Sequence, residues 1–330
     1  MSNILCVILY NQLTENPGPD EADVLDQVNV VKEMLLFHGV EVKELQFSLD
    51  LAKVKRELEL LNPDFVFNLV ESVNNKGSLV YLAPSLLSSM RIPYTGSLLE
   101  PMFVTSSKTL AKERMLSAGI PTAQWFTVGS PQTFDPNKTY IVKPLWEDGS
   151  LGLDEHCVFS GANPELNRLV ATLSPDEFFV EEFIDGREFN ISILANGHRP
   201  QVLSPAEIIF DAFPAGKPKV VGYTAKWVED SFEYKHTNRT FNFSSSDSEL
   251  LEKLRLLTER CWDVFSLNGY ARVDFRVDSA GNPIVLEINA NPCISPDSGF
   301  YAACEQSGIA FAQAVKRIVN NAPHLTKHIS

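Results

Sequence analysis

The sequence predicts an α/β and α+β chain: an N-terminal doubly wound parallel-sheet domain followed by two further α+β units. Three observations carry this. Strands and helices alternate through short turns over the first hundred residues, as βαβ units do. A second stretch opens with a helix stopped at Gly119 and closes with the strand Phe178–Phe183. A third contains the hairpin Tyr270–Val277/Pro283–Ile288, joined by Asp278-Ser279-Ala280-Gly281-Asn282. The expected domain limits are 1–104, 105–185 and 186–330.

Taken in order, Ile4–Tyr10 is an apolar run that reads as a buried strand, without the basic start of a signal peptide. Ala22–Phe37 repeats apolar residues at helical spacing, Val40–Leu45 is a second strand, Leu51–Leu61 a helix and Asp64–Leu69 a third strand. Ligands of such sheets sit beyond the carboxyl ends of the strands, where this chain has Tyr10-Asn11 and Asn68-Leu69-Val70-Glu71. The helix Ser107–Ala118 ends at Gly119, with Pro121 behind it. Strands at Trp125–Val128 and Tyr140–Pro144, a glycine-rich loop and a helix near Pro164–Leu173 follow. The last unit has a strand at Glu188–Leu194, a long polar insertion over Phe210–Phe243, a helix Ser248–Leu267, the hairpin, and a final helix over Tyr301–Asn320. The tail after Pro323 is expected to fray.

Composition narrows the function. The 330 residues carry a formal net charge of −14 without a basic stripe, which disfavours nucleic-acid partners. No apolar run approaches the roughly 20 residues that span a bilayer, so no membrane association is expected. The five cysteines form no C-x-x-C pair, which points to a reducing cytoplasm rather than a disulfide framework or a zinc site.

Three segments carry chemistry. In Lys143-Pro144-Leu145-Trp146-Glu147-Asp148-Gly149-Ser150-Leu151-Gly152 a lysine ends an apolar strand, and small residues then let backbone N–H groups approach phosphate oxygens. Alone, the segment also fits an ordinary hairpin loop with a solvated lysine. In Glu181-Glu182-Phe183-Ile184-Asp185-Gly186-Arg187-Glu188 carboxylates able to accept from an adenine amino group and ribose hydroxyls cluster at a strand end, although solvated acidic turns are common. The third segment is the most specific. Arg272 and Asp274 alternate on one strand face, as do Glu287 and Asn289 on another. If the strands pair through the Gly281 turn, all four converge. Two carboxylates at ~4 Å repel by roughly 4 kcal/mol at an effective dielectric of about 20, and a divalent cation reverses that sign. Oxygen ligands select magnesium or manganese over zinc.

Together with Tyr94-Thr95-Gly96-Ser97 and Lys108, these segments resemble the ATP-grasp superfamily, and within it the D-alanine–D-alanine ligase-like branch, over nearly the whole chain. The resemblance implies a two-subdomain ATP-grasp fold behind the N-terminal domain, and an ATP-dependent, ADP-forming carboxylate–amine ligase. It implies that Lys108 and Lys143 contact nucleotide phosphates, and that Ser150, with the backbone of 148–152, closes over the terminal phosphate. It places Glu181 on the adenine amino group, Glu182 and Phe183 on the base through their backbone, and Glu188 on the ribose. Lys226 becomes the phosphate-contacting lysine of a mobile loop. Asp274, Glu287 and Asn289 hold two magnesium ions, and Arg272 stabilises the acylphosphate and the tetrahedral oxyanion. Asp23 (with Glu21 nearby), Glu71, Trp227, Asp297 and Ser298 fall in the substrate region.

The departures from the family pattern lie in that region. The family usually has tyrosine where Trp227 stands, histidine at Glu71, glycine at Cys293 and serine at Gly149. The nucleotide machinery is therefore expected to be intact and the amino-acid pocket rewritten, with Cys293 a small packing residue. The expected partners are a small-molecule carboxylate and an amine, amino acids or a peptide, and a homodimer is a candidate assembly. The competing reading is a nucleotide-binding regulatory protein without ligase activity.

Overall fold

A computed structural model describes residues 4–147 and 149–329. In the N-terminal unit, β1 (Leu5–Asn11) lies between β2 (Glu41–Phe47) and β3 (Phe65–Leu69), all parallel. Alternation along β1 explains the double winding. Cys6, Ile8 and Tyr10 face α1 (Pro19–Phe37), whereas Val7 and Leu9 face α2 (Leu51–Leu61). The start of α1 precedes the first apolar repeat because Pro19 fits the first helical turn. Two helices that the sequence reading left unassigned follow: α3 (Leu82–Met90) and α4 (Leu99–Ser106).

The second unit holds α5 (Lys108–Ser117), then β4 (Trp125–Thr127), β5 (Thr139–Pro144), β6 (Val158–Ser160), α6 (Pro164–Thr172) and β7 (Phe178–Glu182). Its strands form an antiparallel sheet in the order β4-β7-β5-β6, backed by Leu166 and Val170 of α6. Although α5 precedes this sheet in sequence, its Ala111 and Met115 pack in the core of the third unit.

That third unit comprises β8 (Arg187–Leu194), β9 (Gln201–Val202), β10 (Ala206–Phe210), α7 (Tyr223–Trp227), α8 (Phe232–His236), β11 (Thr237–Thr240), α9 (Ser248–Val264), β12 (Tyr270–Val277), β13 (Pro283–Asn289), α10 (Gly299–Gln306) and α11 (Phe311–Asn320). The sheet runs β11-β10-β8-β12-β13, with β9 added to β8. Leu254, Cys261 and Phe265 at α9 pack against the apolar face of β8, β12 and β13.

Two expectations are corrected. The single last helix is two, because Gly308 at φ +70° ends α10 in a conformation glycine adopts without strain. The tail does not fray. Ile329 is buried, Asn320 bonds both its backbone N–H (2.9 Å) and its carbonyl (3.1 Å), and Lys327 pairs with Asp64 at 2.6 Å. The polar insertion is also more ordered than its composition suggests, forming α7, α8 and β11. One core joins the ends of the chain: Cys6, Ile8, Val28 and Phe67 pack with Ile294, Phe300, Ile318 and Ile329. Among the described residues no helix is long and apolar enough to cross a membrane.

Candidate functional site

The two antiparallel sheets and the carboxyl end of the parallel sheet enclose a cavity of about 1080 Å³. Its floor is the β12–β13 hairpin. Arg272 sits opposite Asn289 and Asp274 opposite Glu287, so all four side chains share the cavity face. A register irregularity follows directly after Asp274. Directly opposed carboxylates destabilise a sheet unless they are neutralised, and here each has a cation. Arg272 grips Asp274 with two hydrogen bonds (2.7 and 2.8 Å), and Lys108 lies 3.9 Å from Glu287. Asn190 and Asn289 also donate to Asp274, at 2.8 and 3.1 Å. Burial would raise the Glu287 carboxyl, but Lys108, Lys143, Arg272 and Lys226 together outweigh it and hold it at about 2. Among the described residues no three His, Cys, Asp or Glu side chains gather as a metal site. The oxygen donors are two carboxylates and the Asn289 amide, a set that suits magnesium in kind and leaves positions for water and phosphate.

At the nucleotide end expected from sequence, Glu181 is engaged by two lysines. Its carboxylate is 1% exposed, pairs with Lys112 at 2.6 Å and also with Lys143. Burial opposes its ionisation, yet the two lysines hold its pKa below the ordinary value. The carboxylate is thus occupied by protein. Burial lowers Lys112, with Glu181 offsetting part of the effect. Glu182 turns to Lys138 (2.7 Å), and Glu188 pairs with Arg276 (2.6 Å), whose guanidinium lies 5.5 Å from the Phe183 ring centre. Burial raises the Glu188 carboxyl, with Arg276 pulling the other way.

The roof is made of two loops held together. Gly149, Ser150 and Gly152 all have positive φ. The Ser150 hydroxyl donates to the Val221 carbonyl (2.6 Å), the Trp227 indole N–H to the Gly149 carbonyl (3.0 Å) and the Tyr223 N–H to the Leu153 carbonyl (2.9 Å). Tyr223 also reaches Asp20 of α1 at 3.0 Å. Of the backbone expected over a terminal phosphate, Asp148 lies outside the described residues. Lys226, next to Trp227, is held low by burial and then by Arg272, and Glu287, Asp274 and Glu188 act on it from the floor. Beneath the roof edge, Lys108 donates to the Glu147 carbonyl at 2.6 Å.

The far end contains Asp23, Glu71, Asp297 and Ser298. Cys293 is more than a packing residue: its thiol donates to Asp23 (3.0 Å) and touches the Ser295 hydroxyl (3.0 Å), which donates to Asp297 (2.7 Å). Burial, then Glu71 and Asp23, push the thiol well above its ordinary range. The Ser298 hydroxyl accepts from the Tyr301 N–H (3.2 Å) and so caps α10. Glu21 bonds the Thr14 hydroxyl (2.7 Å), and both Glu21 and Asp23 line the cavity. The loop Tyr94–Ser97 ties the first unit to this floor. The Ser97 N–H donates to Asn291 (3.0 Å), and a Cβ on Gly96, at φ +83°, would lie 2.3 Å from the same amide.

Among the lining or supporting residues that sequence reasoning missed are Lys112, Asn190, Gln27 and Arg239. Lys112 stands one helical turn from Lys108, and Asn190 two residues along β8 from Glu188, so periodicity could have found both. Gln27 and Arg239 carry no such signal.

The family described as D-ala D-ala ligase C-terminus matches residues 115–320. An uncharacterized protein of Sinorhizobium fredii, y4sG, is 29% identical over 258 residues, covering 77% of this chain and 73% of its own. A D-alanine–D-alanine ligase of Aquifex aeolicus is 29% identical over 287 residues, covering 85% and 89%. Among solved structures, the D-alanine–D-alanine ligase of Bacillus anthracis complexed with ATP superposes with a TM-score of 0.72 at 17% identity, covering 96% of this chain and 97% of that one. The D-alanyl-alanine synthetase A of Vibrio cholerae gives the same TM-score at 17% identity, covering 97% and 100%. With the family match spanning well over half of the residues and the fold shared end to end, this chain belongs to the D-alanine–D-alanine ligase-like branch of the ATP-grasp superfamily.

Proposed function

We propose that the protein is an ADP-forming carboxylate–amine ligase working through an acylphosphate, with a substrate pocket changed from that of the D-alanine ligases. The observation that carries this reading is the cavity floor, where two opposed carboxylates and an asparagine amide face four cationic side chains, Lys108, Lys143, Lys226 and Arg272. ATP would lie between the antiparallel sheets, its base against the backbone of 181–183 and its phosphates toward Lys143, Lys108 and the roof. Asp274, Glu287 and Asn289 would hold magnesium, two ions in our reading, which when bound supplies charge neutralisation for phosphoryl transfer. A substrate carboxylate oxygen attacks the γ-phosphorus, and the bond to the bridging oxygen breaks, releasing ADP. The amine nitrogen then attacks the acyl carbon, its proton leaves, and the carbon–oxygen bond to phosphate breaks. Arg272 and Lys226 face the developing negative charge. The roof excludes water that would hydrolyse the acylphosphate.

We also keep the division at 1–104, 105–185 and 186–330 as a proposal, with α5 docked on the third unit. A reducing cytoplasm remains our proposed location, supported by five unpaired cysteines.

The direct test is ADP release with magnesium and a panel of amino acids and dipeptides. Release that requires both a carboxylate and an amine is expected, with a new amide in the products. ATP binding without release for any pair would sink the ligase reading and favour a regulatory nucleotide-binding protein. A second expectation concerns the roof. Trp227→Phe removes the indole donor to Gly149 and keeps the ring, so ADP release without amide formation should rise severalfold relative to coupled turnover. Unchanged coupling would remove Trp227 from the closure.

A further inference from the structure

Arg272, Asp274 and Arg276 follow one another at every second residue on the cavity face of β12. The first two face the phosphates in the reading above, and the third has no part in it. Arg276 is 4% exposed. A guanidinium taken out of water needs carboxylate or carbonyl partners for its donors. Here both terminal nitrogens are committed to the protein. Nη1 donates to the Gly186 carbonyl (3.2 Å), whereas Nη2 donates to the Lys219 carbonyl and pairs with Oε2 of Glu188 (2.6 Å). The Phe183 and Phe210 ring centres each lie 5.5 Å from the guanidinium carbon. Arg276 therefore acts on a ligand through what it holds.

What it holds is Glu188, its direct neighbour across the strand pair β12–β8. Among the acids that line the base end, Glu181 is taken by Lys112 and Lys143, and Glu182 by Lys138. The charges acting on Glu188 are Arg276, then Asp274, Lys143 and Lys226. Both lysines face the phosphates in the reading above, and Asp274 is itself gripped by Arg272. Arg276 is thus the cation on Glu188 that has no phosphate to serve. It also ties down the two segments beside that acid. Gly186 belongs to the crossover from β7 to β8, which lies so close on β12 that a Cβ there would overlap the Val277 carbonyl. Lys219 leads into the roof, two residues before Val221, whose carbonyl takes the Ser150 hydroxyl.

We propose, resting on the placement of ATP in the ligase reading above, that Arg276 is a positioning residue for the sugar of the nucleotide. With the base against 181–183, the ribose lies past Phe183 and meets the carboxylate of Glu188, which lines the cavity. Arg276 fixes that carboxylate between the crossover and the roof, where it accepts from a ribose hydroxyl. A lysine could supply the charge. It could not supply the planar fork that holds two carbonyls and a carboxylate at once. The site thereby distinguishes ribose from deoxyribose, and does so through a side chain that the sugar itself does not touch.

The experiment measures by calorimetry the affinities of ADP, 2′-deoxy-ADP and 3′-deoxy-ADP with magnesium, since ADP binds without turnover. In the unaltered protein at least one deoxy analogue should bind roughly tenfold or more weakly than ADP, the loss expected for a hydrogen bond to a charged group. Arg276→Lys should bring that ratio to within about twofold of unity. Arg276→Gln should give the same collapse and serves if the lysine variant fails to fold, with melting as the report on each. Loss of packing alone weakens all three ligands by one common factor and leaves the ratio as it was; that result overturns the proposal. Equal affinity for all three in the unaltered protein overturns it as well. A ribose preference that collapses as stated, in a protein that releases no ADP with any carboxylate–amine pair, sinks the ligase reading and leaves Arg276 in its role. No binding of any of the three overturns both readings.

Discussion

Glu287→Ala should lower ADP release by on the order of 10³-fold or more while leaving a folded protein. The substitution removes the anion on which Lys108, Lys143, Lys226 and Arg272 all act. Four cations would then face one another with Asp274 and Glu188 as nearby anions, Lys143 keeping its pair with Glu181. Two opposing effects follow. Nucleotide phosphates alone should still bind, because the cations remain and repel one another less once a polyanion arrives. Chemistry should stop, because one of the two carboxylates able to hold magnesium is gone. Turnover measured beside nucleotide affinity separates these effects. Retained turnover, or loss of both together with a collapsed melting transition, would contradict the assignment. Asp274→Ala should have a similar kinetic effect for an additional reason, since it frees Arg272 from its two hydrogen bonds.

Glu181→Leu should destabilise the fold by about 3–5 kcal/mol, the cost of breaking a buried ionic group from one side. The triad Lys112–Glu181–Lys143 holds two cations on one anion, and both Lys112 and Glu181 are 1% exposed. Removing the carboxylate strands two lysines. Lys112→Met leaves the Glu181–Lys143 pair intact and should change stability by only about 1 kcal/mol. Urea denaturation of the two variants tests the asymmetry, and equal losses would argue against it. The pH dependence follows from the same pair. The folded Glu181 carboxyl titrates below its ordinary value, so the stability it lends is complete above the unfolded pKa of about 4.3. That contribution drains as pH falls through the folded value. The leucine variant should lack this acid limb.

What was legible in the sequence was what repeats along an element. Alternation placed Arg272, Asp274, Glu287 and Asn289 on one face before any register was known, and the pairing of Asp274 with Glu287 completes that geometry. The apolar runs of β1 and β3 and the glycine stop after α5 were equally local. What failed depended on partners distant in sequence. Glu181 reads as a solvated strand-end acid until Lys112 arrives from α5. Cys293 reads as filler until α1 brings Asp23 to within 3.0 Å. The tail reads as loose until Asn320 and Asp64 are seen to hold it. α3 and α4 were missed because Pro84 and Pro101, each in a first helical turn, look like breaks in a one-dimensional reading.

The core that joins Cys6 and Ile8 to Phe300, Ile318 and Ile329 sets an order of events during synthesis. Protein chains emerge amino end first, and early domains generally fold as they appear. Here the flank of α1 that meets α11 lacks its covering until residues 294–329 have been made. The opening third of the polypeptide must therefore wait, with an oily flank uncovered, for the segment that seals it.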